Sequence, residues 1–108
     1  MIRIINNSIY MTRGDSASIH LDITDMDEKT YTPREDDIII FTMKKSPAEN
    51  ATIFQKKVEG GIIKINPEDT KKLDYGRYVY DVQLKKADGA TETIISPHIF
   101  KIQKEVTF

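Results

Sequence analysis

Two histidines, His20 and His98, are the side chains in this 108-residue sequence that titrate near neutral pH, so acid-base chemistry would have to start from them. His20 falls on the polar side of an alternating stretch, and neither histidine has a companion at metal-ligand spacing. Nucleophilic catalysis would need Ser, His and an acid converging, but no Gly-x-Ser-x-Gly is written here, nor a glycine loop to cradle phosphate. Cysteine is absent, which removes thiolate chemistry, disulfides and Cys-ligated metal together. Asp25, Asp27 and Glu28 could gather a calcium ion, yet they lack the glycine-punctuated run of a calcium loop and read as a solvated turn. Arg13-Gly14-Asp15 spells an adhesive tripeptide, but Gly and Asp are also what a turn selects for backbone reasons, and the turn is the reading taken. Tyr and Phe can stack on sugars or bases, although the five tyrosines fall largely on strands. The expectation is a chain with no catalytic residue, no cofactor and no metal.

The elements that position these residues are short strands. From Tyr78, the residues Tyr78, Tyr80, Val82 and Leu84 alternate with Val79, Asp81 and Gln83, and Arg77 precedes them on the polar face, which makes a strand with one buried side. Ala17, Ile19, Leu21 and Ile23 alternate with Ser18, His20, Asp22 and Thr24 in the same way. In Ile38 to Met43 the pattern breaks, because Ile39, Phe41 and Met43 share one face while Ile38 and Ile40 share the other, so both faces want cover. Ile2 to Met11 is a short β-rich lead. Thr52 to Val58 and Ile62 to Ile65 flank Glu59-Gly60-Gly61, a tight hairpin signal. Asn66 is a good N-cap before Pro67, so Pro67 to Leu73 should form one or two helical turns. Asp88-Gly89 signals a hairpin into Thr91 to Ser96, and Pro97, which cannot donate to a ladder, belongs at an edge or bulge before Ile99 to Ile102.

By length this is a single domain over 1–108, with 39% hydrophobic residues to build one modest core. Sixteen Lys and Arg mix with seventeen Asp and Glu for a formal charge of −1. No basic stripe argues for nucleic acid or an anionic membrane, so neither is an expected partner. The N-terminal residues lack the apolar core of a signal peptide, and the chain reads as soluble and unprocessed.

The spacing Asp74-x-Gly76-x-Tyr78 resembles the tyrosine corner, in which a Tyr at the start of a strand hydrogen-bonds to backbone a few residues upstream. Together with the strand count it predicts an all-β fold: an immunoglobulin-like β-sandwich of seven to eight antiparallel strands, with one short helical turn before the corner strand. Its core should be Ala17, Ile19, Leu21, Ile23, Ile39, Phe41, Met43, Ile63, Ile65, Tyr78, Tyr80, Val82 and Leu84. Met11 to Ser16, Phe41 to Ser46, Pro67 to Thr70 and Leu73 to Leu84 resemble small structural proteins of bacterial phages and prophages, similar to the N-terminal β-sandwich domains of tail and baseplate proteins. The turn after the second strand departs from that pattern in Met26-Asp27-Glu28-Lys29, and Tyr80 and Phe41 stand where antibody domains carry Cys and Trp. The resemblance implies a non-catalytic virion component, made in the bacterial host cytoplasm, that contacts itself or other phage structural proteins and can form a homo-oligomer. The alternative is a secreted or surface domain binding carbohydrate or host protein.

One surface is expected to mediate contact. If the strand from Ile38 pairs with that from Arg77, and that with Thr91 to Ser96, then Ile38, Ile40, Val79 and Ile94 point outward as one apolar interface patch.

Overall fold

Residues 2–5, 7–21, 23, 34–48 and 51–104 are described by a computed structural model of the chain. They form β1 (Ile2–Ile5), β2 (Ser8–Thr12), β3 (Ala17–His20), β4 (Ile38–Lys44), β5 (Thr52–Lys57), β6 (Ile62–Ile65), α1 (Pro67–Lys71), β7 (Gly76–Lys85) and β8 (Thr91–Gln103). Six strands make one sheet in the order β1-β2-β8-β7-β4-β5, while β3 and β6 make a second. The architecture is all-β in two sheets, compatible with a sandwich. Among the described residues no helix is long and apolar enough to cross a membrane.

The alternation read from the sequence sets which side of the large sheet is buried. Along β7, Tyr78, Tyr80, Val82 and Leu84 are buried and the residues between them are not; along β4 the same holds for Ile39, Phe41 and Met43. Against this face lie Ile19 of β3 with Ile63 and Ile65 of β6, in one buried cluster. At its centre the Phe41 ring stacks on Tyr80 with centroids 5.2 Å apart, and Phe100 meets Tyr80 edge-on at 6.3 Å. Of the expected core, Ala17 and Leu21 are only half-buried. Ile9, Met11, Phe100 and Ile102 join it unforeseen, because β2 and the end of β8 turn out to be interior strands of the large sheet, and so does Val58, just past β5, whose N–H donates to the Ile39 carbonyl.

Two strand expectations are corrected and one gains detail. The pairing is not antiparallel throughout: β2 runs parallel to β8, with Ile9 opposite Phe100 and Met11 opposite Ile102. These strands come from opposite ends of the chain, so no tight turn ties their directions together. The β-rich lead is itself a hairpin, in which Ile5 pairs with Ser8 and Asn7 takes φ 67°, a conformation Asn tolerates better than most residues. Glu59-Gly60-Gly61 does make a tight turn, with Glu59 and Ile62 exchanging backbone hydrogen bonds, but the flanking strands part company. β5 pairs with β4 in the large sheet and β6 with β3 in the small one, so this turn carries the chain from one layer to the other.

Other local signals have the expected partners. Pro97 lies where the β7–β8 register shifts, since Tyr80 faces His98 while Val82 faces Ile95. The loop after β7 closes with Lys86 N–H donating to the Ala90 carbonyl and the Asp88 carboxylate accepting from Ala90 N–H, both at 2.8 Å. At the start of α1 the Asp69 carboxylate accepts the Asn66 N–H at 2.7 Å and pairs with Lys56 of β5 at 2.8 Å.

Candidate interaction surface

The corner holds the start of β7 in place. Tyr78 is buried, and its hydroxyl donates to the Asp74 carbonyl at 2.8 Å, inside the backbone stretch that the spacing singles out. Gly76, between them, sits at φ 134°, where a side chain would be strained. Burial, and secondarily the Asp74 carboxylate, push the Tyr78 phenol above its usual range, with the hydrogen bond acting in the other direction. Burial alone pushes Tyr80 up to about 12, and its hydroxyl donates to the Asn7 carbonyl in the turn between β1 and β2.

Arg13-Gly14-Asp15 is built into this same region. The Arg13 guanidinium donates to the Leu73 carbonyl at 3.3 Å and lies over the Tyr75 ring, 4.2 Å from its centroid. Gly14 N–H donates to the Thr70 hydroxyl at 2.8 Å, and Thr70 is fully buried on α1. The tripeptide therefore clasps the helix and corner to the end of β2, with its cation engaged by its own chain.

The large sheet has a second, outer face. On β4 it presents Ile38, Ile40, Thr42 and Lys44, on β7 Arg77, Val79, Asp81, Gln83 and Lys85; all are exposed or half-buried and none is buried. The register arranges them in rows across the strands. Lys57, Ile40 and Gln83 form one, Gln55, Thr42 and Asp81 the next, then Lys44, Val79 and Ile99, and finally Arg77 and Lys101 beside Tyr10. Within the second row, the Gln55 side-chain amide donates to the Thr42 hydroxyl at 3.1 Å.

That register corrects the expected apolar patch. Ile38 faces Lys85 and Ile40 faces Gln83, whereas Val79 faces Lys44, so the Thr42–Asp81 row separates Ile40 from Val79. Ile94 lies at the second register shift of β8 and packs against the buried cluster instead of joining the outer face. Ile38 alone of the four is strongly exposed, at 40%. What the four hydrophobes were expected to form is instead a mixed surface in which Ile40 shares its row with Lys57, and Val79 and Ile99 share theirs with Lys44. Ile99, which the sequence reading left out, is the true neighbour of Val79. The signal for it was the bulge at Pro97, which resets which residues of β8 face outward.

Beside the Lys44 row is a notch of about 70 Å³ bordered by Lys44, Pro47, Val79, Asp81 and Pro97. A wider depression of about 350 Å³ lies at one end, lined by Arg34, Asp36, Asp37, Lys86, Ala87 and Asp88. Neither contains a histidine. His98 lies instead beside Tyr80, a ring nitrogen 2.5 Å from the Ser96 carbonyl, and His20 is exposed on β3 in the other sheet. Asp25, Asp27 and Glu28 lie outside the described residues, among which no cluster of metal-ligating side chains occurs. Comparison with protein-family models, with curated proteins and with solved structures found no match to this chain.

Proposed function

We propose that this chain is a non-catalytic structural module of the phage or prophage tail and baseplate kind, on an immunoglobulin-like frame, acting within the virion through protein-protein contacts. The observation that carries this reading is the two-sided character of the large sheet. One face closes the core, and the other spreads aliphatic and charged side chains over β5, β4, β7 and β8 without a buried residue on β4 or β7. A surface of exposed and half-buried side chains over four strands, with a small notch, suits another protein better than a small molecule, which needs a concave site to bury most of its area. The immunoglobulin-like part of the reading takes its support from the neighbours β4-β7-β8, which on this reading would stand for the C, F and G strands, and from the Tyr78–Asp74 bond at the corner.

The test is co-expression of the chain with the products of the genes flanking its own, followed by size-exclusion chromatography with light scattering. The expected result is stoichiometric co-elution with one of them. A chain that co-elutes with none and instead retains a defined glycan would overturn the module reading in favour of a carbohydrate-binding domain.

A further inference from the structure

We propose that the outer face of the large sheet docks a protein partner through a carboxylate-rich surface, with Lys44, Lys57, Arg77, Lys85 and Lys101 meeting its acids and the notch between Pro47 and Pro97 receiving one of its side chains. This rests on the reading of the chain as a protein-contact module and names the chemistry of the partner.

The charge distribution is the first ground. Among the described residues those five cations share the face with one carboxylate, Asp81, a net of four positive charges there, on a chain whose formal charge is −1. The linear sequence hides this, because the five cations come from four strands and each is flanked in sequence by residues of the other face. Alternation and register, not clustering in the chain, gather them.

The second ground is a local conflict. Arg77 stands directly opposite Lys101 in the β7–β8 ladder, and like charges in that position destabilise a sheet. No carboxylate among the described residues forms an ion pair with either, although elsewhere Lys56 and Lys86 do have acidic partners. An acidic surface laid across this row removes the conflict, so complex formation relieves a cost that the free chain bears.

The identity of the occupant follows from what else the face contains. Val79 and Ile99 sit beside the Arg77 row, and Ile40 lies in the row that ends in Lys57, giving the aliphatic content expected of a protein contact. Asp81, next to Val79 on the same face and bordering the notch, would repel a phosphate backbone. A second copy of this chain related by two-fold symmetry would oppose the same cations to themselves, since such a contact uses one patch twice. A different, acidic protein surface is left.

The test uses short poly-L-glutamate as the probe, with an oligothymidylate of equal charge beside it, titrated onto the full chain at low and at high salt. Poly-glutamate should bind, more weakly at high salt, and about ten-fold more weakly to the Arg77→Glu, Lys44→Glu double variant. A control with the same change of charge away from the face, Lys64→Glu with Lys72→Glu, should bind like the parent. Arg77→Glu by itself should leave the melting temperature unchanged or raise it, because an opposite charge then faces Lys101. The proposal is overturned if poly-glutamate does not bind, if the control loses as much affinity as the face variant, or if oligothymidylate binds the more tightly. A fall in melting temperature for Arg77→Glu would overturn the argument from its placement. In the co-elution assay, a face variant that still assembles like the parent ends this inference and leaves the module reading standing; a parent that assembles with nothing ends both.

Discussion

Tyr78 and Tyr80 point the same way from one strand, yet their hydroxyls hold different parts of the chain. Tyr78 secures the backbone four residues before it, and Tyr80 reaches the turn between β1 and β2. Replacing Tyr78 with Phe keeps the ring in the core and leaves the Asp74 carbonyl without its donor, so it should cost about 1 kcal/mol, read as a lower denaturant midpoint at unchanged slope. No change in the midpoint would mean the corner bond contributes nothing. Alkaline pH tests both residues together. A phenol is neutral when protonated, and in the folded chain both phenols keep their protons to higher pH than the ordinary value of 10.0. Their contribution is therefore complete below pH 10 and is lost as pH rises through about 12, the value to which burial pushes Tyr80. Denaturant midpoints should fall across that window, in step with the phenolate absorbance, and Tyr80→Phe should fall less steeply. Tyr78 and the corner were legible because Asp74-x-Gly76-x-Tyr78 is local. The bond from Tyr80 was not, since its acceptor lies 73 residues away in the chain.

Among the elements, α1 is too short to be stable alone and is held by what it docks against. Thr70 is its anchor, a fully buried hydroxyl that accepts the Gly14 N–H. Thr70→Val preserves shape but strands that N–H, and should cost about 1–3 kcal/mol; Thr70→Ser, which keeps the oxygen, should cost less. Thermal melts of the two variants decide it, and a Thr70→Val variant as stable as the parent would show that the hydroxyl contributes nothing at this position. Gly14 takes φ 83°, so Gly14→Ala should add roughly 1 kcal/mol of strain to the same clasp. The sequence showed a turn at Arg13 to Asp15 and a capped helix at Asn66, each from local chemistry, but not that they meet. The turn at Glu59 to Gly61 teaches the reverse lesson. Its glycines specify a reversal of direction, and which sheet each flanking strand then joins depends on partners elsewhere, β4 for one and β3 for the other.

For the whole molecule, the charge on the outer face bears on how it associates. Among the described residues the outer face carries a net of four positive charges, which opposes two-fold contact through that face, so the isolated chain should be monomeric by light scattering even at low salt. The double variant Ile40→Lys with Val79→Lys should then leave the mass unchanged, because those two side chains belong to rows separated by Thr42 and Asp81 and do not form one apolar contact. A parent dimer that this variant dissociates would restore the aliphatic interface expected from the sequence.

The sequence by itself determined the class of fold, the strands that face the core and the three glycine-bearing turns at Gly14, Gly60-Gly61 and Gly89, because alternation, caps and turn residues act over a few positions. It determined that Tyr78, Tyr80, Val82 and Leu84 point inward together. Tertiary structure alone decided that β2 runs parallel to β8, that β5 and β6 belong to different layers, and that Arg77 faces Lys101 while Val79 faces Ile99. Register across a ladder is set by partners distant in the chain and is shifted by bulges such as that at Pro97, so the make-up of a sheet's outer face emerges only when the strands are laid side by side. For that reason a chain with its charges evenly mixed in sequence carries a cationic face in three dimensions.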